Sequence, residues 1–169
     1  MAETVERISA VMATTARRWV DLTAAVPTEA LERPAAAGEW SAVDCLRHLL
    51  LAERHVFPGR VEQFLAGSEE LSPVDPAAIP AAPETTAAEL SKAFARAREE
   101  NLATVSSLRP ADLDRQATSR RLGRITLRDV LLQWAVHDLD HLAQAVHALA
   151  QGLLAESPQL EAAYAERDT

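Results

Sequence analysis

Two of the five histidines, His137 and His141, stand four residues apart in a stretch that reads as helix. That spacing places both imidazoles on one face, a turn apart, where they can reach a single metal ion. They continue a stripe at three- and four-residue steps, Val130, Trp134, His137, His141 and Ala145. The pair is therefore expected to point into the protein, where polar groups need partners. An H-x3-H pair can also arise by accident or lie at the surface. The inward stripe favours the metal reading, because two buried imidazoles without a shared ligand are costly. A third ligand is available from the face that carries Asp44, His48, Leu51, Ala52 and His55. Both His48 and His55 are candidates. Three imidazoles and a water make an open site of the catalytic kind rather than a closed structural one.

The neighbouring residues read more plainly. His147 lies six residues beyond His141, about 240° around a helix, and is assigned no role. Cys45 reads as a small buried hydrophobe that could also approach the metal. Asp44, Asp138 and Asp140 could orient an imidazole, but surface charge is the expected role of Asp138 and Asp140. Gln144 is placed to hydrogen-bond near His141, and Trp40 and Trp134 are expected to fill core. Other chemistries fail on spacing. A di-iron bundle needs Glu-x-x-His, whereas Trp134 and Cys45 occupy the positions three before His137 and His48. The segment His137-Asp138-Leu139-Asp140-His141 is not the H-E-x-x-H of a zinc peptidase, and no glycine-rich phosphate loop occurs.

The elements that must position these residues are helical. Of 169 residues 34 are Ala, only five are Gly, and aromatics make up 4%, a mix that favours packed helices over a β-sandwich. Residues 3–26 carry a stripe of Val5, Ile8, Met12, Trp19, Leu22 and Val26. After a loop over 27–39, Ser41 and Asp44 form a capping pair for a helix running to about Leu65. Pro58 and Gly59 should kink or split that helix, and Gly67 is placed to cap it. Residues 68–84 hold four prolines and form an extended connection. A third helix starts at Thr85 or Thr86, with Leu90, Phe94, Ala97, Asn101, Val105 and Leu108 on one side, and Pro110 ends it. The polar, arginine-rich 111–125 reads as loop, with no strand pattern. The fourth helix is capped by Thr126 and Asp129, runs to about Ala150 and is closed by Gly152. A tail helix over 158–166 follows. Residues 1–169 are expected to form a single all-α domain, a four-helix bundle with a long crossover connection.

Charge and composition limit the partners. Net charge is −8, from 17 Lys+Arg against 25 Asp+Glu, which argues against a nucleic-acid module or a basic membrane-surface protein. One cysteine allows no intrachain disulfide. No apolar run approaches the roughly 20 residues that span a bilayer, and the acidic start MAETVERISA is not a secretory signal. A soluble cytoplasmic chain is expected.

Several segments share a familiar order. Gly38-Glu39-Trp40-Ser41 is followed by His48-Leu49. Later come Ala111-Asp112-Leu113, Gly123 through Thr126-Leu127, and His137-Asp138-x-x-His141-x-x-Gln144. In order and separation this resembles the DinB-like (YfiT-type) metalloprotein superfamily, over most of the chain to about residue 150. The resemblance implies a four-helix bundle with a long crossover and a three-histidine site made by His48, His137 and His141. It also implies one divalent ion, zinc or nickel, and a homodimer. His55 and Cys45 are outside the pattern. Members of the family resemble thiol-dependent transferases and isomerases that use mycothiol or bacillithiol. The function so implied is a metal-dependent S-transferase acting on a small-molecule thiol and an electrophile. The alternatives are a non-catalytic metal- or ligand-binding bundle and a metal-dependent hydrolase. The run Arg115, Arg120, Arg121, Arg124 and Arg128 reads first as a solvated loop, and otherwise as a contact for an anionic co-substrate.

Overall fold

Where helices begin is decided by short polar side chains that satisfy the first free backbone N–H groups. In the computed structural model, which describes residues 2–165, three long helices open with a reciprocal capping box. These are α3 (Ala42–His55) with Ser41 and Asp44, α5 (Ala87–Ser107) with Thr86 and Glu89, and α7 (Leu127–Leu154) with Thr126 and Asp129. The fourth long helix, α1, spans Ala2–Ala25. Gly67, at φ +78°, follows the end of α4 (Phe57–Leu65) as expected of a left-handed cap.

The expected break in the second helix falls between α3 and α4, at Val56. Pro58 then occupies the first turn of α4, where its missing N–H costs nothing. Helix α1 packs on α5 and α7, and α3 packs on the same two from the opposite side, which closes a bundle.

Four expectations are corrected. Gly152 does not end α7; it lies inside the helix beside the Arg33 side chain, and Ala155 is the C-cap. The 27–39 loop contains a helical turn, α2 (Thr28–Leu31), that buries Leu31. Pro110 opens a further turn, α6 (Pro110–Leu113). The arginine-rich segment is a β-hairpin, β1 (Gln116–Ser119) with β2 (Gly123–Thr126), antiparallel and turned through Gly123 at φ +71°. Its strands are too short and polar to show an alternating pattern. The tail helix α8 spans Pro158–Ala165, and Glu166, to which it was expected to extend, lies outside the described residues.

The connection from α4 to α5 is fastened at both ends. Leu71 N–H donates to Thr118 O (2.9 Å) and Thr118 N–H to Glu69 O (2.8 Å), tying the connection to the hairpin. At the other end Arg54 makes a two-pronged ion pair with Glu84. Among the described residues no helix is long and apolar enough to cross a membrane.

The core divides into two apolar clusters. One holds Met12, Phe57, Val61, Val130 and Trp134; the other holds Trp19, Leu46, Leu50, Phe94 and Leu142. Where one gives way to the other, each long helix contributes a buried polar side chain: Thr15, Glu53, Arg98 and Asp138. The Arg98 guanidinium donates to both Glu53 carboxylate oxygens at 2.7 Å and to Asp138. Thr15 donates to Asp138, Trp134 Nε1–H to Glu53 (2.9 Å), and Asn101 to Glu53 (2.9 Å). Burial opposes charge on Arg98, but its bonds to Glu53 and Asp138 outweigh this and raise its pKa above the ordinary arginine value.

This layer corrects two more expectations. Asp138 is buried rather than surface charge, while Asp140 is exposed as expected. On α5 it is Arg98, not Ala97, that continues the inward stripe from Phe94.

Candidate metal centre

The site forms where α3 and α7 lie side by side. Ser41 fixes the start of α3 through its bond with Asp44, which places His48 two turns along, facing α7. From α7, His137 and His141 project a turn apart. The candidate ligand atoms of the three imidazoles all lie within 4.8 Å of one another. His48 Nε2 and His137 Nε2 face each other at 3.0 Å. Two nitrogens bound to one tetrahedral zinc would be about 3.3 Å apart, so this pair is close to ligand spacing. All three rings are half-buried rather than sealed in the core, at an edge that solvent reaches.

The electrostatics suit ligands. Burial, then the nearby imidazoles and Arg98, push His137 down to about 4. Burial and His141 also lower His48. Both rings are therefore neutral at pH 7 and carry the lone pair that a metal needs. His141 Nδ1 meets Gln144 Oε1 at 3.1 Å. With the amide oxygen accepting, the proton sits on Nδ1 and Nε2 is left free, as expected of Gln144. His137 Nδ1 is buried and has no hydrogen-bond partner among the described residues, while Nε2 faces His48. The donor set, three imidazoles converging with no carboxylate among the described residues of the group, fits a borderline divalent ion.

Aromatic rings frame the cluster. Phe57, the first residue of α4, stacks on Trp134 (4.9 Å between ring centres) and makes a T-shaped contact with His137 (5.4 Å). Trp40 does not fill core. It is 39% exposed and lies over the outer side of the site, stacked on His141 (5.4 Å) and tilted against His48 (5.0 Å). Gly38, at φ +85°, turns the chain just before it. Trp134 is buried as expected.

The remaining candidates fall away from the cluster. His55 and His147 are exposed, and neither belongs to the group. Cys45 is buried among Leu46, Leu49 and Leu50, and burial, then Asp44, push its thiol up to about 11. It is a packing residue and not a nucleophile.

A cleft of about 340 Å³ opens beside His48 and His137, walled by Phe57 and Arg60, by Leu71–Val74 of the connection, and by Ser119–Leu122 of the hairpin. Its described lining contains no carboxylate. Arg60 was not singled out from the sequence. Only its place one turn after Val56 and Phe57 could have marked it.

The sequence agrees with this geometry at the level of family. A model of the DinB superfamily matches residues 12–145, from the first helix through both α7 histidines. The chain belongs to the DinB superfamily. In three dimensions it is similar to YfiT from Bacillus subtilis, described as a probable metal-dependent hydrolase with an unusual four-helix bundle topology. The TM-score is 0.74 at 15% identity, over 88% of this chain and 87% of that one. At so low an identity the likeness speaks for the fold. No curated protein matches the sequence. Within this DinB-like bundle, the first-motif histidine, His48, and the H-x3-H pair of the last long helix meet at one point.

Proposed function

We propose that the protein is a metal-dependent enzyme in which His48, His137 and His141 hold one divalent ion, zinc or nickel. The reaction we assign to it joins a small cytoplasmic thiol of the mycothiol or bacillithiol type to an electrophile. The observation that carries this is the convergence of three imidazoles within 4.8 Å at the edge of a cleft. A divalent ion held by neutral ligands keeps its positive charge and lowers the pKa of a coordinated thiol or water.

The chain's own groups support the thiol reading. Among the described residues the cleft lining has no Asp or Glu to serve as general base, so a nucleophile that ionises readily is favoured, and a thiol, with a pKa near 8.5, does so far more easily than water. Cys45 cannot substitute for an external thiol, being buried with a raised pKa. In the transfer, the thiol proton passes to solvent, sulfur forms a bond to the electrophilic carbon, and the leaving group departs with the bonding pair. Phe57 and Leu122 offer apolar wall to the electrophile, and Trp40 shields the imidazoles from the opposite side.

Hydrolysis is the second reading, favoured by the description of YfiT, which shares the fold. A metal-binding bundle without turnover is the third.

The test begins with metal content, by mass spectrometry, of protein purified without an immobilised-metal column. About one ion per chain, absent from His48→Ala and His137→Ala, is expected. Thiol consumption is then followed with monobromobimane or chlorodinitrobenzene, beside ester hydrolysis without thiol. Turnover that requires thiol and metal supports the transferase. Turnover without thiol supports the hydrolase. Metal binding with neither supports the third reading. No metal after reconstitution with zinc and nickel would sink all three.

A further inference from the structure

The cleft beside the histidines gathers Arg60, Arg120 and Arg121. Three other arginines of this region are tied to the fold. Arg115 pairs with Asp112, Arg124 donates to Gln116, and Arg128 pairs with Asp114. Arg60, Arg120 and Arg121 differ. Among the described residues they make no ion pair, and the cleft offers them no acid. Arg60 is half-buried, and burial together with the Arg121 charge weakens its hold on its proton. The chain carries 25 acidic residues and a net charge of −8. Grouping like charges in a concave, acid-free cleft opposes stability, and it creates a local positive field against the sign of the whole molecule.

We infer that Arg60 and Arg121 form the anion-binding end of the cleft, so that the substrate carries a carboxylate or phosphate seated on them while its reacting atom faces His48 and His137. The second half of this rests on the metal-enzyme reading; the anion subsite itself does not. Guanidinium forks match the paired oxygens of carboxylate and phosphate. A volume of about 340 Å³ lies at the small end of ligand pockets and suits a small metabolite rather than a peptide or nucleic acid. Arg60 comes from α4 and Arg121 from the hairpin turn, so the two arms approach the anion from separate elements.

The test is isothermal titration of inorganic phosphate and of succinate at low ionic strength. It uses the zinc-loaded and the metal-free chain, in wild type, Arg60→Met, Arg60→Lys, Arg121→Met and, as control, Arg124→Met. Circular dichroism checks that each variant is folded. At least one anion is expected to bind the wild type with and without metal, and to weaken with added salt. Arg60→Met and Arg121→Met should each weaken it about tenfold or more. Arg60→Lys should keep part of the affinity, and Arg124→Met all of it. Binding of neither anion, or binding indifferent to Arg60 and Arg121, overturns the subsite. Binding that disappears with the metal but not with the arginines also overturns it, and leaves the metal reading intact. Arginine-dependent binding in a chain that takes up no metal would keep the subsite and remove the metal reading.

Discussion

His137 and Asp138 are adjacent in sequence and belong to two polar clusters of opposite character. Asp138 enters a sealed layer in which one guanidinium is shared by two carboxylates and supported by Thr15, Trp134 and Asn101. Every charged group there has a partner within the protein. His137 enters a half-open cluster whose rings have mainly one another, and His137 Nδ1 has no partner among the described residues. A buried polar group that is fully bonded holds the fold in register, while one left under-bonded costs stability unless something else completes it. The two clusters share α3 and α7, which supply Glu53 and His48, and Asp138 and His137. The layer thus fixes the rotation of the two helices that carry the imidazoles.

The contrast can be broken most severely at Arg98. Arg98→Met leaves two carboxylates buried without their cation and should cost about 3–5 kcal/mol, read as a fall in the urea midpoint. A loss under 1 kcal/mol would show that the layer is not the structural one. The histidine cluster should respond the other way. His48→Ala and His137→Ala should abolish stoichiometric metal, measured by mass spectrometry, while the metal-free variants unfold at a urea midpoint no lower than metal-free wild type. Destabilisation of those variants to the extent seen at Arg98 would place the imidazoles in the structural class too. Gln144→Ala is a finer probe, since it removes the hydrogen-bond partner of His141 and leaves the ring. Metal affinity by competition with a chelator should drop about 10–100-fold, with stability within about 0.5 kcal/mol of wild type.

The smallest effect is on pH dependence. In metal-free protein His137 titrates at about 4, against about 6.5 in an unfolded chain. Between those values the unfolded chain binds more protons than the folded one. Stability therefore falls as pH drops from about 6.5 towards 4 and is unaffected by this group above that window. Urea midpoints at pH 7, 5.5 and 4.5 should fall further in wild type than in His137→Ala. Equal falls in both would show that His137 is not held neutral by the fold.

Much of the fold was legible because it is local. Ser41 with Asp44 and Thr126 with Asp129 announce helix starts through groups three residues apart, and Pro58 marks the break between α3 and α4. The hairpin was not legible, since four-residue polar strands draw their stability from pairing with each other and from the bridge to Glu69–Leu71. Arg98 was half-visible. It lies four after Phe94 and seven before Val105, inside the apolar stripe, but nothing nearby in sequence reveals that Glu53 and Asp138 wait for it from 45 and 40 residues away.

Local sequence was enough for the long helices, most of their caps, and the spacing that puts His137 and His141 on one face, because each depends on atoms within a turn of one another. Tertiary structure decided the rest. It brought His48 up to the α7 pair and left His55 exposed. It sealed Asp138 into the core and drew Trp40 out over the imidazoles. It also sorted one run of arginines into those tied to the fold and those facing the cleft. These outcomes depend on which groups meet across helices, and burial and charge pairing are settled only where those surfaces come together.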